Sequence, residues 1–196
     1  MSEVYRGVKF KTIFLEKNII KNKKIKELIK YGRKFAELGL SPKYDGGSAG
    51  NLSFRTKDGF ITTSSRSDLS CLKKEKFAEV IDCNFNKKEV YLKGLKEPSS
   101  ETFLHYSIYK RRKDINVIFH VHDNDALKHA KELKIPVTHE KKFYGTIELS
   151  NEAIKILKNN DYIALKGHGI VAMGKTIEET AKLILKKFGE GKRLER

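Results

Sequence analysis

Apolar residues recur at helical spacing near the start of the chain. Within residues 20–38 they lie three and four positions apart, at Ile25, Leu28, Ile29, Gly32, Phe35 and Ala36. This period places them on one side of an α-helix, which Gly39 can end. The pattern therefore predicts an amphipathic helix over residues 20–38.

Further helices are predicted from residues that favour helix starts. Ser99 or Ser100 can cap a helix that runs to about residue 113, and Ser150 can cap one over residues 151–160. Thr176 with Glu179 matches a capping box for a last helix over about residues 177–188. Shorter helices are predicted over residues 73–81 and 124–133.

Short apolar runs with β-branched residues predict strands between these helices. The first two are joined by a turn at Lys57-Asp58-Gly59, and the last two are separated by a His-Gly step. The predicted strands cover residues 51–55, 59–64, 89–92, 115–122, 135–139, 162–167 and 170–174. A mixed sheet with helices on its faces follows, as an α/β or α+β sandwich.

The length and composition fit one globular domain over residues 1–196. At 39% hydrophobic residues the chain can bury a core. It has no apolar run of the roughly 18–20 residues that span a bilayer, and its start lacks the apolar region of a signal peptide. Cys71 and Cys83 are too few for a disulfide framework. We therefore expect a cytoplasmic protein that does not contact a membrane.

The charge is strongly positive, with 41 Lys and Arg against 25 Asp and Glu, or +16. Such a field attracts either nucleic acid or a small anionic substrate. The lysines are scattered over all segments, Trp is absent, and no nucleic-acid recognition motif accompanies them. We therefore favour a small anionic substrate and expect no nucleic-acid partner. High Lys and Glu together are also compatible with a heat-loving source.

A candidate metal site lies at the end of the strand over residues 115–122. Side chains alternate along a strand, so His120 and His122 point to the same face and can reach one metal ion. His168 lies between Gly167 and Gly169 directly after another apolar strand. Three histidines leave a coordination position open, as a catalytic Zn²⁺ site requires.

Glu101 follows two serines at the start of a predicted helix. A carboxylate there is stabilised by the helix dipole, which gives it a purely structural interpretation. The alternative is a general acid or base next to the metal. Spacing along the sequence does not decide between the two.

Six stretches in order resemble the class II aldolase/adducin family, especially its L-fuculose-1-phosphate aldolase branch. They are residues 46–55, 61–65, 97–110, 115–122, 144–150 and 165–179. The resemblance implies a three-layer α/β/α sandwich with a mainly antiparallel central sheet, and a homotetramer with active sites at subunit interfaces. It also implies that zinc is bound by His120, His122 and His168, and that Glu101 is the catalytic acid/base.

The resemblance further implies a substrate that carries a phosphate. In this family the positions of Asn51, Thr63, Ser64, Ser99 and Ser100 bind that phosphate, with Gly50 and Ser65 as possible further members. Hydroxyls, a glycine-rich approach and a helix N-terminus suit such a dianion. The expected reaction joins dihydroxyacetone phosphate to a short aldehyde such as lactaldehyde, or reverses that step, with zinc as the Lewis acid.

The sequence departs from the fuculose-phosphate aldolase pattern where a catalytic Tyr from a neighbouring subunit is expected. Glu140 takes that position, Tyr144 is a possible substitute, and His139 is a possible substrate contact or an exposed strand-end residue. Other functions implied by the family are a methylthioribulose-1-phosphate dehydratase and a pentulose-5-phosphate 4-epimerase. The epimerase usually has Asp at the position of Glu101. A non-catalytic scaffold like adducin lacks metal ligands that this chain keeps.

Overall fold

The computed structural model describes residues 6–195, which form one large sheet and a small ribbon. The strands of the large sheet are β1 Lys11–Glu16, β4 Asn51–Arg55, β5 Phe60–Thr63, β6 Phe77–Asn84, β7 Glu89–Gly94, β8 Val117–Val121, β9 Tyr162–Leu165 and β10 Gly169–Gly174. The ribbon pairs β2 Lys43–Tyr44 with β3 Gly47–Ser48. The strand order in the sheet is β1-β7-β6-β5-β4-β8-β10-β9. Among the described strands, every pairing in this sheet is antiparallel except that of β1 with β7.

Helices cover both faces of the sheet. They are α1 Ile25–Glu37, α2 Thr102–Arg111, α3 Asn124–Lys128, α4 Ile147–Leu157 and α5 Ile177–Leu194. The first, third and fifth pack on one face around Phe35 and Phe119, whereas α2 and α4 pack on the other around Phe103 and Ile118. The predicted three-layer α/β/α sandwich with a mainly antiparallel sheet is therefore confirmed. Within residues 6–195, no helix combines the length and the apolar character needed to cross a bilayer.

Strand β8 shows how the two cores position the histidines. Phe119 and Val121 pack in the core under α1, α3 and α5, whereas Ile118 packs in the core under α2 and α4. Because side chains alternate along a strand, His120 leaves the sheet on the same side as Ile118. That is the side on which α2 begins.

The helix predicted over residues 73–81 is wrong. Only a three-residue 3₁₀ turn forms there, Lys74–Lys76, and the chain then enters β6. The charged residues around Phe77 and Val80 hide the alternation of buried positions in this segment. Pairing with β5 on one side and β7 on the other decides the conformation, because ladder bonds on both edges outweigh local helix propensity.

The cap predicted at Ser150 is also wrong. Helix α4 begins at Ile147 and is capped by Thr146, whose Oγ1 accepts a hydrogen bond from Leu149 N at 3.2 Å. Ser150 lies within the helix, and its hydroxyl donates back to Thr146 O at 3.3 Å. Thr146 and Ser150 can each cap a helix. Because Leu149 and Ser150 are buried within the first turn of α4, Thr146 is the residue that lies just outside the helix and caps it.

The other helix starts follow the predictions more closely. Glu101, not a serine, occupies the N-cap position of α2, although Ser99 Oγ accepts a hydrogen bond from Glu101 N at 3.3 Å. Thr176 caps α5 as predicted, because its Oγ1 accepts from Glu179 N at 3.1 Å. That helix continues to Leu194, beyond the predicted end.

Gly59 offers a test of how closely β5 and β6 pack. A Cβ atom at Gly59 would lie 1.9 Å from Val80 O, whereas one at Gly189 in α5 would meet no heavy atom within 4 Å. We expect Gly59→Ala to lower the free energy of unfolding by about 1–3 kcal/mol or more. Gly189→Ala is the control, and its helix propensity is expected to raise the same quantity by up to about 1 kcal/mol. Urea denaturation of both variants measures this, and equal stabilities would contradict the close packing.

Candidate metal centre and active site

Three histidines converge at one end of the sheet. His120 is near the end of β8, His122 follows that strand, and His168 lies in the turn between β9 and β10. Their ligand atoms all lie within 4.8 Å of one another, and the Nε2 atoms of His120 and His122 are 3.1 Å apart. Ligands about 2.0–2.1 Å from one tetrahedral zinc would be about 3.4 Å apart. The described residues therefore bring the predicted triad to the spacing that a single ion needs.

The β9–β10 turn reaches the end of β8 because of its glycines. Gly167 has a φ of 65°, which lets the chain turn sharply before His168. A Cβ atom at Gly169 would lie 2.6 Å from His120 Cε1 and 2.8 Å from Val121 O. A larger residue at position 169 would thus push the turn away from His120.

The surroundings of His120 and His122 favour the neutral form of the imidazole ring. His120 Nδ1 lies 2.9 Å from Ile170 O, and a carbonyl oxygen only accepts, so Nδ1 carries the proton. The lone pair of a neutral ring is then on Nε2, which faces the other two histidines. Burial lowers the pKa of His120, and burial together with the neighbouring histidines lowers that of His122 well below its ordinary value. Neutral imidazole is the form that binds metal.

A buried carboxylate lies against the triad. Glu101 is only 3% exposed. Its Oε1 is 2.8 Å from His168 Nε2, and its Oε2 is 3.2 Å from His120 Nε2 and accepts from Asn51 Nδ2 at 2.7 Å. Burial by itself raises the pKa of this carboxyl, but the adjacent His120 and His168 and the hydrogen bonds with His168 and Asn51 hold it well below its ordinary value. Glu101 is therefore a carboxylate anion.

Sheet register explains why Asn51 reaches this group. Asn51 in β4 lies directly opposite His120 in β8, so their side chains share one face. Gly50 before it has a φ of 87°, and a Cβ atom there would lie 2.8 Å from His120 O. The amide nitrogen of Asn51 holds Glu101, while its buried Oδ1 has no hydrogen-bond partner among the described residues.

A cavity of about 560 Å³ opens over this centre. Most of the residues predicted as site members line it, namely Gly50, Asn51, Ser64, Ser65, Ser99, Ser100, Glu101, His120, His122, Tyr144 and His168. Ser99 and Ser100 lie just before α2, where backbone N–H groups and the helix dipole favour an anion. The arrangement can hold a metal, a proton-transferring carboxylate and an anionic ligand side by side.

Three predicted members lie elsewhere. Thr63 is buried behind the cavity wall, where its Oγ1 accepts a hydrogen bond from Leu52 N at 3.2 Å. His139 and Glu140 are exposed, and Glu140 forms an ion pair with Lys142 at 2.5 Å. Their roles in a substrate site stay predictions.

Several cavity residues escaped the sequence analysis. They come from the β2–β3 ribbon, the turn after β5 and helix α3: Lys43, Tyr44, Ser48, Arg66, Ser67, Asn124 and Leu127. Their elements are short or irregular, so no period marks them. The run of polar residues Ser64-Ser65-Arg66-Ser67 directly after a strand is a signal that could have pointed to part of this wall.

Comparisons with known proteins agree with this geometry. The family model described as Class II Aldolase and Adducin N-terminal domain matches residues 26–186. An L-fuculose phosphate aldolase from Methanocaldococcus jannaschii is 33% identical over 186 residues, which cover 82% of this chain and 94% of that protein. A methylthioribulose-1-phosphate dehydratase from Pseudoalteromonas translucida is 27% identical over 188 residues, covering 82% and 85%.

A solved structure gives the same result. An L-fuculose 1-phosphate aldolase is similar with a TM-score of 0.65 and 28% identity, covering 87% of this chain and 90% of the other. The predicted family and enzyme class, an aldehyde-lyase of the class II aldolase type, are thereby confirmed. With the family model matching most of its length, this chain belongs to the class II aldolase and adducin family.

Proposed function

We propose that this protein is a zinc-dependent aldolase that cleaves or forms a ketose 1-phosphate such as L-fuculose 1-phosphate. Its other substrates would be dihydroxyacetone phosphate and a short aldehyde such as lactaldehyde. The observation that carries the proposal is the buried Glu101 carboxylate, which contacts two of the three converging histidines at a cavity walled by hydroxyl groups. The similarity to L-fuculose phosphate aldolases supports the choice of substrate.

The donor set supports zinc as the cofactor. Three neutral imidazoles with an open side are a common ligand set for catalytic zinc, and another divalent transition metal would fit the same nitrogens. Bound there, the metal supplies a Lewis acid that polarises a substrate carbonyl. The protein contributes the fixed orientation of the rings through Ile170 O on His120 and through the packing of Gly169.

Glu101 would move a proton at the substrate carbon next to the carbonyl. Its Oε atoms face the triad, so a substrate bound there would place that carbon within reach. The carboxylate starts as the anion and is therefore ready to accept a proton. Asn51 Nδ2 holds Oε2 and His168 Nε2 lies 2.8 Å from Oε1, so both carboxylate oxygens are fixed in position.

The hydroxyl-lined wall would bind the phosphate of the substrate. Ser99 and Ser100 lie at the N-terminal end of α2, and the buried Ser64 hydroxyl has no hydrogen-bond partner among the described residues. Buried hydroxyls without partners are rare in folded proteins, which favours a bound ligand at this wall. Asn51 and Ser64, with Gly50, Ser65 and Thr63 around them, would complete the phosphate site.

We also propose a homotetramer whose active sites lie between subunits. Glu140 is exposed, so it is free of the core and able to reach a neighbouring subunit, whereas Tyr144 lines the cavity of its own chain. The phenol of Tyr144 would donate a proton to the aldehyde oxygen, whereas Glu140, which pairs with Lys142, would contact the substrate together with His139. Sedimentation velocity of the purified protein measures the assembly, and a monomer would remove this part of the proposal.

The second candidate function is a dehydratase of the methylthioribulose-1-phosphate type. The similarity to such an enzyme favours it, and the same triad and Glu101 would serve both reactions. Glu101 in place of Asp counts against an epimerase, and the intact triad counts against an adducin-like scaffold. A small phosphorylated sugar as substrate and a cytoplasmic location are common to both enzyme proposals.

Replacing a triad histidine tests the metal centre. We expect the purified protein to carry one zinc per chain and His122→Ala to lose it on dialysis, since two nitrogens bind zinc far more weakly than three. Elemental analysis measures the zinc content. The control is His129→Ala, which removes a histidine that contacts Glu195 at 2.6 Å, and it should keep the metal. A wild-type protein without stoichiometric metal would contradict the proposal.

Removing the charge of Glu101 tests its role in proton transfer. Glu101→Gln keeps the shape and should keep zinc, but we expect kcat to fall by about 10²–10⁴-fold because the base is lost. Glu178→Gln is the matched control, because that carboxylate pairs with Lys182 on the surface of α5. Full activity of the Glu101 variant with zinc still bound would exclude this carboxylate from the mechanism.

An aldol assay identifies the reaction. Dihydroxyacetone phosphate is mixed with lactaldehyde, glycolaldehyde or glyceraldehyde, with and without a chelator. We expect a ketose 1-phosphate product from at least one aldehyde and its loss with chelator. If no aldehyde gives product, the dehydratase becomes the better proposal.

A further inference from the structure

The turn after β5 presents hydroxyls to the cavity that the fold itself does not use. This wall turn, defined as residues 64–67, lines the cavity along its whole length. The side chains of Ser64 and Ser67 are each only 4% exposed, and within the described part of the chain neither hydroxyl has a hydrogen-bond partner. A buried hydroxyl without a partner destabilises the fold, so both groups favour a bound ligand.

The wall turn is held firmly by its backbone. Ser64 N donates to Lys76 O at 2.9 Å, and Ser65 N donates to Glu97 O at 3.0 Å. At the other end, Ser67 O accepts a hydrogen bond from Ser48 N at 3.1 Å. The positions of the two unpartnered hydroxyls are therefore set before any ligand arrives.

Arg66 occupies an unusual conformation within this turn. Its φ of 52° lies in the left-handed region, which residues other than glycine rarely adopt. The opposing residue is Gly47, where a Cβ atom would lie 3.1 Å from Arg66 Cα. Such conformations cluster at ligand sites, because neighbouring structure must hold them. Here it places an exposed guanidinium-bearing side chain along the cavity, between two serines.

Arg66 is one of the cationic residues that line the cavity. Lys43 also lines the cavity, but its ammonium group lies 3.1 Å from Asp68. Arg66 lies on the same turn as Ser64, so a phosphate dianion bound at Ser64 would be within reach of its guanidinium group. Guanidinium suits the task because it binds phosphate oxygens in a bidentate way.

We propose that Arg66 and Ser67 extend the phosphate site and that Arg66 determines specificity for a phosphorylated substrate. Ser67 would donate its hydroxyl proton to a phosphate oxygen beside Ser64, and Arg66 would neutralise the dianion. The substrate class in this statement rests on the proposed function. The binding of a phosphate group does not, so the two can be tested separately.

The first experiment titrates inorganic phosphate into the zinc-loaded protein and measures heat of binding. We expect Arg66→Ala to weaken phosphate binding by about tenfold or more and Ser67→Ala to weaken it less, since a charge-assisted bond exceeds a neutral one. Arg66→Lys should recover part of the loss. Arg33→Ala is the control, because it removes the same charge from the exposed side of α1. Thermal unfolding of each variant checks that the fold is kept.

The second experiment compares dihydroxyacetone phosphate with dihydroxyacetone in the aldol assay. We expect Arg66→Ala to lower kcat/KM for the phosphorylated donor by about tenfold, mainly through KM, and to lower kcat/KM for dihydroxyacetone much less. If the wild-type protein has no aldolase activity but Arg66→Ala still weakens phosphate binding, the proposed function is refuted and this inference is supported. Equal phosphate binding by Arg66→Ala and wild type, or no binding by wild type, would overturn the inference.

Discussion

The carboxylate of Glu101 is a negative charge held inside the protein, and a buried charge is tolerated only where other groups compensate for the lost water. Asn51 Nδ2 donates a hydrogen bond to this carboxylate, His168 Nε2 lies 2.8 Å from it, and His120 packs against it. They come from β4, β8 and the β9–β10 turn, whereas the carboxylate itself comes from the start of α2. Four segments that are distant along the chain must therefore pack together before the charge is stable. A cation bound by the histidines would strengthen this compensation further.

The central strands of the sheet make that meeting possible. Strand β8 lies between β4 and β10, and residues opposite His120 on both sides are fixed by the antiparallel ladders. Its alternate residues fill two separate cores, so a shift of one position would bury His120 in the wrong layer. The register that stabilises the sandwich is thus the same register that aims the histidines at Glu101.

The cavity wall for which we propose phosphate binding differs from this centre in its polar groups. Both carboxylate oxygens of Glu101 have partners within the protein, whereas Asn51 Oδ1 and the hydroxyls of Ser64 and Ser67 lack partners among the described residues. Their backbones are nevertheless fixed, through bonds such as Ser64 N to Lys76 O. A rigid wall with unused polar groups is preorganised for a ligand, because little ordering remains to be done when it binds.

Local spacing determined those features that depend on the direction of side chains along one element. The sequence predicted that His120 and His122 share a face, that glycines let the chain turn around His168, and that Thr176 caps α5. The family motifs in the sequence also predicted the histidine triad and Glu101 as site residues. Tertiary structure decided the rest. Phe77–Asn84 became a strand because two neighbouring strands pair with it, and Thr146 replaced Ser150 as a cap. Only long-range pairing placed Asn51 opposite His120 and brought Arg66 to the cavity, because contacts between distant segments depend on how strands and loops pack, which no local period records.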